Sequence, residues 1–305
     1  MRIAIMGSGA VGGYFGAKLA QAGHDLIFFA RGAHLDAMRR SGLRVVTPNG
    51  DFHVQDAVFA ASPAEAEAVD LVLFCVKSYD TEQAAAALGP LVGADTKILS
   101  LQNGVDNAAK IAERWGAARV LAGVVYIGSQ VDSPGIVRHS SGGKILVGPV
   151  DGAIDTALNW IERTFAIADI GCKVSDRIVS AQWAKLLWNA PFCAISCLAR
   201  AHTQQIVDSD ALTRLALDCM AEVRSAALAK GVELSPALYE QTIAFSRGLG
   251  PFKPSMLQDL EAGKPLEYEA FNGIVWRTLE QAGQPAPINR TLYVLLEQLS
   301  KSNDP

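Results

Sequence analysis

The first residues with the types and spacing to do chemistry are Gly7-Ser8-Gly9-Ala10-Val11-Gly12. Glycines at the first, third and sixth places let a strand turn tightly into a helix, let a pyrophosphate approach the backbone, and let the helix pack close to a sheet. Unpaired N–H groups at such a helix start favour a diphosphate. The bland alternatives are a glycine-rich turn that holds no ligand and a related fold that takes S-adenosylmethionine. Arg31 closes the next apolar run. Where NAD binds, the end of that run carries Asp or Glu for the ribose hydroxyls. Arg31 cannot accept those hydroxyls, but its guanidinium suits a 2'-phosphate in bidentate fashion. The preferred dinucleotide is therefore NADP(H), and the competing reading of Arg31 is a solvent-facing side chain.

Lys185 and Asn189 stand i,i+4 on one expected helix and so share a face. Negative charge developing on an oxygen needs a cation or proton donor, and an ammonium can be both at neutral pH. Glu267, on a later expected helix, could counter that charge or accept a hydroxyl hydrogen. A surface Lys/Glu pair is the ordinary alternative. Lys77 follows a buried apolar run, where α/β sheets place ligands, or simply pairs with an acid nearby. Asn103-Gly104 stands just past another such run and could be a plain turn. The five histidines, His24, His34, His53, His139 and His202, are dispersed and read as surface or packing residues.

The elements that must hold these groups follow from the apolar pattern. Runs at 3–6, 26–30, 71–76 and 98–101 are continuously apolar, as in parallel strands covered on both faces. Amphipathic stretches at 11–22, 34–41, 81–92 and 105–115 separate them, the order of a doubly wound α/β domain. A strand over 120–127 follows. A hairpin pairs 136–139 with 144–147 through Ser140-Ser141-Gly142-Gly143. A turn at 148–152, a helix over 155–165 and a strand over 167–174 end this part. Helical periodicity then dominates at 180–198, 212–229, 236–246, 265–281 and 289–299. Pro191 should kink or break the first of these, and 248–255 should be an ordered loop. The expectation is a Rossmann-type domain over 1–175 that binds NADP, then a mostly α-helical substrate and catalytic domain over 176–305.

The chain has 305 residues, half of them hydrophobic, with a net charge of −4. Two cores fit that length, disorder does not fit that composition, and no basic block suggests nucleic acid. No run reaches the ~18–20 apolar residues of a membrane span. The five scattered cysteines, Cys75, Cys172, Cys193, Cys197 and Cys219, form no CxxC pair. They read as reduced thiols of a cytoplasmic protein, with no metal site. The expected partner is a small molecule, neither nucleic acid nor membrane, with a homodimer left open.

With these motifs in place the sequence resembles the ketopantoate reductases (2-dehydropantoate 2-reductases) of the 6-phosphogluconate dehydrogenase-like superfamily. The landmarks are Gly7–Gly12, Val76-Lys77, Gln102-Asn103-Gly104, Lys185-Leu186-Leu187-Trp188-Asn189, Ser255-Met256-Leu257-Gln258-Asp259 and Glu267-Tyr268-Glu269-Ala270-Phe271-Asn272-Gly273. The resemblance implies NADPH-dependent reduction of ketopantoate to pantoate, towards pantothenate and coenzyme A. It gives Lys185 as general acid, Asn189 as the orienting amide and Glu267 as the partner of the substrate hydroxyl. Ser255 would lie near the substrate carboxylate, Lys77 and Asn103 beside nicotinamide and substrate, and Arg31 on the 2'-phosphate. Two positions depart from the pattern. Cys193 stands where family members commonly continue with a second asparagine, and Phe252 where ketopantoate-specific members tend to be polar. Both point towards a bulkier or less hydroxylated substrate. The alternatives are reduction of another branched or aromatic 2-oxo acid, and a non-catalytic NADPH-binding protein.

Overall fold

The computed structural model describes residues 1–150 and 156–302. The chain divides into two compact units, Met1–Ile178 and Val179 onward. In the first unit, β1 (Arg2–Met6) leads into α1 (Ala10–Gln21), then β2 (Asp25–Phe29) and α2 (Gly32–Ser41). Three short strands follow, β3 (Leu43–Val46), β4 (Phe52–Val54) and β5 (Val58–Ala60), before β6 (Val69–Phe74) and α3 (Thr81–Ala87). The unit continues through β7 (Val92–Ser100), α4 (Asn107–Trp115), β8 (Val120–Ser133), β9 (Ile136–Pro149), α5 (Thr156–Ile167) and β10 (Gly171–Val174).

The strands make one ten-stranded sheet in the order β4-β3-β9-β8-β7-β6-β1-β2-β5, with β10 also on β9. From β5 across to β8 every pairing is parallel. That stretch has the doubly wound order, and the order reverses between β1 and β6, the place where such sheets bind ligands. Continuous burial explains the apolar runs: Ile3, Ile5, Leu26, Phe28, Leu71, Leu73 and Leu99 belong to one core and are inaccessible to solvent.

Several features differ from the sequence expectation. The hairpin turns at Pro134-Gly135, between β8 and β9, and not at 140–143. Pro134-Gly135 carries the ordinary type II turn signature, with Gly135 at φ 80°. Gly142 and Gly143, also at positive φ, instead bulge a single long β9, where the register with β8 shifts. The expected last strand starts only at Gly171, because α5 runs to Ile167 and Asp169 takes a left-handed turn at φ 52°. Of the turn expected at 148–152 and the helix start expected at 155, Asp151, Gly152 and Asp155 lie outside the described residues.

The second unit is helical: α6 (Ile178–Ala199), α7 (Thr203–Val207), α8 (Asp210–Ala229), α9 (Ala237–Gly248) and α10 (Ser255–Glu261). A π turn (Glu269–Gly273) then enters α11 (Ile274–Gln281), and α12 (Pro287–Lys301) follows. Helix α6 runs unbroken through Pro191, although proline denies the Leu187 carbonyl its intrahelical donor. A buried polar network braces it at this point. The Asn272 amide donates to the Ala190 carbonyl (3.2 Å) and to Asn289 Oδ1 (2.9 Å). Asn289 donates to Glu222 (2.8 Å), whose carboxylate also receives the backbone N–H groups of Ile288 and Asn289 at the start of α12. The network thus ties α6, α8, the π turn and α12 together.

Asn289→Leu keeps the branching at Cγ but leaves Asn272 and the Glu222 carboxylate short of partners. Unpaired buried groups cost about 1–3 kcal/mol each. Urea unfolding followed by circular dichroism should show a loss of about 2–3 kcal/mol. A change below about 0.5 kcal/mol, the size of an ordinary surface substitution, would mean that the network does not brace the helices.

Candidate active site

The glycine turn is built as a ligand cradle. Gly7 has φ 98°, and a Cβ there would stand 2.7 Å from Val76 N and 2.8 Å from Cys75 C. A Cβ on Gly12 would run into the Gly7 carbonyl and stand 2.8 Å from Ile5 Cγ2. At Gly9 a Cβ would meet no protein atom within 4 Å. Two of the glycines are therefore demanded by protein packing, while the third faces open space. That is the arrangement a diphosphate needs at the start of α1, whose first N–H groups have no intrahelical acceptor.

Neighbouring strand ends gather round this turn. Ser8 N–H donates to the Phe29 carbonyl (2.9 Å), and Cys75 N–H donates to the Met6 carbonyl (2.8 Å). Arg31 therefore follows β2 on one side of the turn, and Lys77 follows β6 on the other. Arg31 caps the start of α2, with its side chain 66% exposed and Nη1 3.7 Å from Asp80 Oδ2. Asn103 lies past the end of β7 in a turn that is more than a plain one. Gln102 donates to Thr81 Oγ1 (2.7 Å), Thr81 donates to Asn107 Oδ1 (2.9 Å), and Asn107 donates to the Asn103 carbonyl (2.7 Å). Gln102, Thr81 and Asn107 are buried, so this chain of bonds fixes Asn103 from beneath.

The sequence marks His34 only as a surface or packing residue, whereas the structure sets it against the glycine turn. Its Nε2 lies 2.9 Å from the Ser8 carbonyl, and its Nδ1 accepts the Gly135 N–H at 3.0 Å. An accepting Nδ1 requires the proton on Nε2, so the ring donates to the glycine turn. The partners are 26 and 101 residues away, and no local spacing in the sequence signals them.

In the helical unit, Lys185 and Asn189 lie on α6 as the spacing implies. Asn189 is buried and Lys185 is half-buried. Burial pulls the Lys185 ammonium down to about 8, and the sulfur of Cys193 and the carboxylate of Glu267 offset part of that loss. Glu267 is 4% exposed. It lies just ahead of the helix rather than on it, because Gly263 and Pro265 hold the approach out of helical conformation and helix begins at Tyr268. The Asn272 bond to the Ala190 carbonyl sets this segment beside Asn189. Lys185, Asn189 and Glu267 are thus brought together, with a cation that gives up its proton near neutral pH.

Ser255 opens α10 and is half-buried. The loop before it reaches α6 through Phe252, whose ring lies 6.3 Å from that of Trp188, while Trp188 stacks on Phe192 at 5.5 Å. Trp188 Nε1–H donates to Ser246 Oγ (3.1 Å). Cys193 is fully buried. Elsewhere in this unit an apolar hollow of about 370 Å³ is lined chiefly by Ile195, Leu198, Leu212, Leu215, Ile288 and Leu292. It lacks the charged groups that an acid substrate would need. Among the described residues no group of three or more His, Cys, Asp or Glu could hold a metal ion, and no helix is long and apolar enough to cross a membrane.

Comparison with known proteins places these features in context. Residues 3–152 match the family described as Ketopantoate reductase PanE/ApbA, and residues 177–300 match its C-terminal counterpart. The 2-dehydropantoate 2-reductase of Mesorhizobium japonicum is 32% identical, with 98% of each chain covered. The crystal structure of a PanE/ApbA family ketopantoate reductase from Ralstonia eutropha JMP134 superimposes with a TM-score of 0.91 at 34% identity over the whole of both chains. The ternary structure of a D-mandelate dehydrogenase with NADH and anilino(oxo)acetate shares the fold, with a TM-score of 0.93 at 20% identity over 100% of this chain and 99% of the other. The chain has an NAD(P)H-binding fold and belongs to the ketopantoate reductase family of oxidoreductases.

Proposed function

We propose that the protein reduces ketopantoate to pantoate with NADPH, in the supply of pantothenate and coenzyme A in the cytoplasm. The observation that carries this reading is Lys185, an ammonium brought down to about 8 by burial beside Cys193 and Glu267. A general acid works best when its pKa lies near the operating pH.

The open face over Gly9 and the first N–H groups of α1 suit the diphosphate, with Gly7, Ser8, Ala10, Val11 and Gly12 shaping the turn. Arg31 takes the 2'-phosphate. Lys77 and Asn103 stand beside the nicotinamide and the substrate. When bound, the nicotinamide supplies a hydride from its C4 to the ketone carbon. Lys185 stabilises the charge that develops on the ketone oxygen and transfers a proton from Nζ to it. Asn189 orients the substrate, Glu267 accepts its hydroxyl hydrogen and keeps Lys185 cationic, and Ser255 bonds its carboxylate. In this reading residues 1–175 form the NADP-binding domain and 176–305 the substrate domain.

A second reading, a branched or aromatic 2-oxo acid as substrate, is favoured by Phe252 on Trp188 and by buried Cys193 where the family pattern has an amide. Rates of NADPH oxidation with ketopantoate, a branched and an aromatic 2-oxo acid separate the two. Ketopantoate should lead by about tenfold or more, since a site built to bond a hydroxyl discriminates strongly. A lead for the aromatic acid would select the second reading.

With the best substrate, Lys185→Ala should lower kcat by about 10²–10⁴-fold, while NADPH affinity by fluorescence titration stays within about twofold. Turnover within about threefold of the wild type, with the fold intact, would remove Lys185 from the mechanism.

A further inference from the structure

At the end of β2 this chain carries a cation where an NAD site would carry a carboxylate, yet a carboxylate is present in the neighbouring turn. Asp80 ends the short turn after Lys77, and its Oδ2 lies 3.7 Å from Arg31 Nη1. The two residues come together because Ser8 N–H bonds Phe29 and Gly7 sits against Cys75 and Val76, which sets the chain leaving β2 and the chain leaving β6 on either side of one glycine turn. Asp80 occupies the N-cap position of α3, but its side chain makes no capping hydrogen bond there. The carboxylate is directed to the guanidinium instead. Both side chains reach solvent, at 66% and 32% exposure, so a ligand can approach them.

The chemistry of the pair is that of a competitor. A 2'-phosphate carries about −1.5 to −2 charges, as phosphate monoesters do at neutral pH. To bind Arg31 bidentately it must displace Asp80 and then lie close to a like charge. A ribose with a free 2'-hydroxyl has the opposite relation to the pair. It brings no charge, and Asp80 can accept its hydrogen, the role that an acid at the end of β2 plays in NAD sites.

We propose that Asp80 is a cofactor-specificity residue that restrains Arg31 and narrows the preference for NADPH over NADH. This rests on the reading of Arg31 as the 2'-phosphate ligand. Asp80 lets the protein accept both dinucleotides, with Arg31 serving the phosphate and Asp80 serving the bare ribose.

The test is a double-mutant cycle read by direct binding of NADPH and NADH to the full chain, using cofactor fluorescence at low salt. Asp80→Asn keeps the shape of the side chain and a residue well accepted at an N-cap. It should tighten NADPH by about 3–10-fold and leave NADH unchanged or weaker by up to about threefold. Arg31→Ala should weaken NADPH by about 10–150-fold with little change for NADH. In the Arg31→Ala background the gain from Asp80→Asn should fall below about half, since the contact it removes is then gone. A selective Arg31→Ala with a silent Asp80→Asn, or with an Asp80→Asn that shifts both dinucleotides equally, overturns the role of Asp80 alone. An undiminished gain without Arg31 also overturns it. Equal losses of NADPH and NADH in Arg31→Ala overturn the reading of Arg31, and the role of Asp80 with it.

Discussion

Holding an ammonium partly out of water is the constraint on which the helical unit depends. A cation loses hydration when it is buried, and the loss shows as a tendency to release its proton. Burial brings Lys185 down to about 8, and neighbouring groups oppose part of that tendency. The opposition comes from Glu267, itself almost fully buried, and from the sulfur of Cys193. Cys193 shares α6 with Lys185, but Glu267 could not act if α6 and the segment entering the π turn moved apart. The polar network through Asn272, Asn289 and Glu222 spans four elements and holds them together, and it meets α6 at Ala190, next to Asn189. A π turn widens the helix by one residue per turn and is frequent at functional sites. Here it turns Asn272 into the network, five residues after Glu267 at the start of the same motif.

The α/β unit solves a different problem, that of bringing short polar groups to one edge of a sheet. Its central strands β1, β2 and β6 are buried almost throughout on both faces, so function falls to the residues just past their ends. The turn after β1, Arg31 after β2, Lys77 and Asp80 after β6 and Asn103 after β7 all occupy that edge. Each is held by bonds between neighbouring strand ends or by buried side chains below it. His34 extends the same device from α2, joining the Ser8 carbonyl to the β8–β9 turn.

Much of this was legible in the sequence where a signal is local. The apolar runs gave the parallel strands, and the glycine spacing gave the turn, because sterics at Gly7 and Gly12 leave no room for another residue type. The i,i+4 spacing placed Lys185 and Asn189 on one face. What escaped depends on distant partners or on competing signals. Ser140–Gly143 looked like a hairpin turn, yet Pro134-Gly135 turns the chain and the later glycines only bulge the strand. The short strands β3, β4 and β5 carry too few residues to show a pattern. Pro191 signals a break that tertiary bracing overrides. His34 acts through residues 26 and 101 positions away, Asp80 through one 49 away and Asn272 through residues 17 and 82 away, and nothing nearby announces them.

The central claim, that a desolvated Lys185 ammonium is the proton donor, is tested most directly by the pH dependence of kcat/KM for 2-oxo acid reduction at saturating NADPH. That parameter reports the ionisation of the enzyme before the substrate binds. A lysine lowered to about 8 is protonated and active below that value and loses its proton above it. The account therefore predicts a plateau on the neutral side and an alkaline limb centred near pH 8, falling about tenfold per unit beyond it. Glu267→Gln should move that limb to lower pH, because the carboxylate favours the ammonium. A profile that stays flat to about pH 9.5, close to the range of an ordinary lysine, or a limb unmoved by Glu267→Gln, would contradict it.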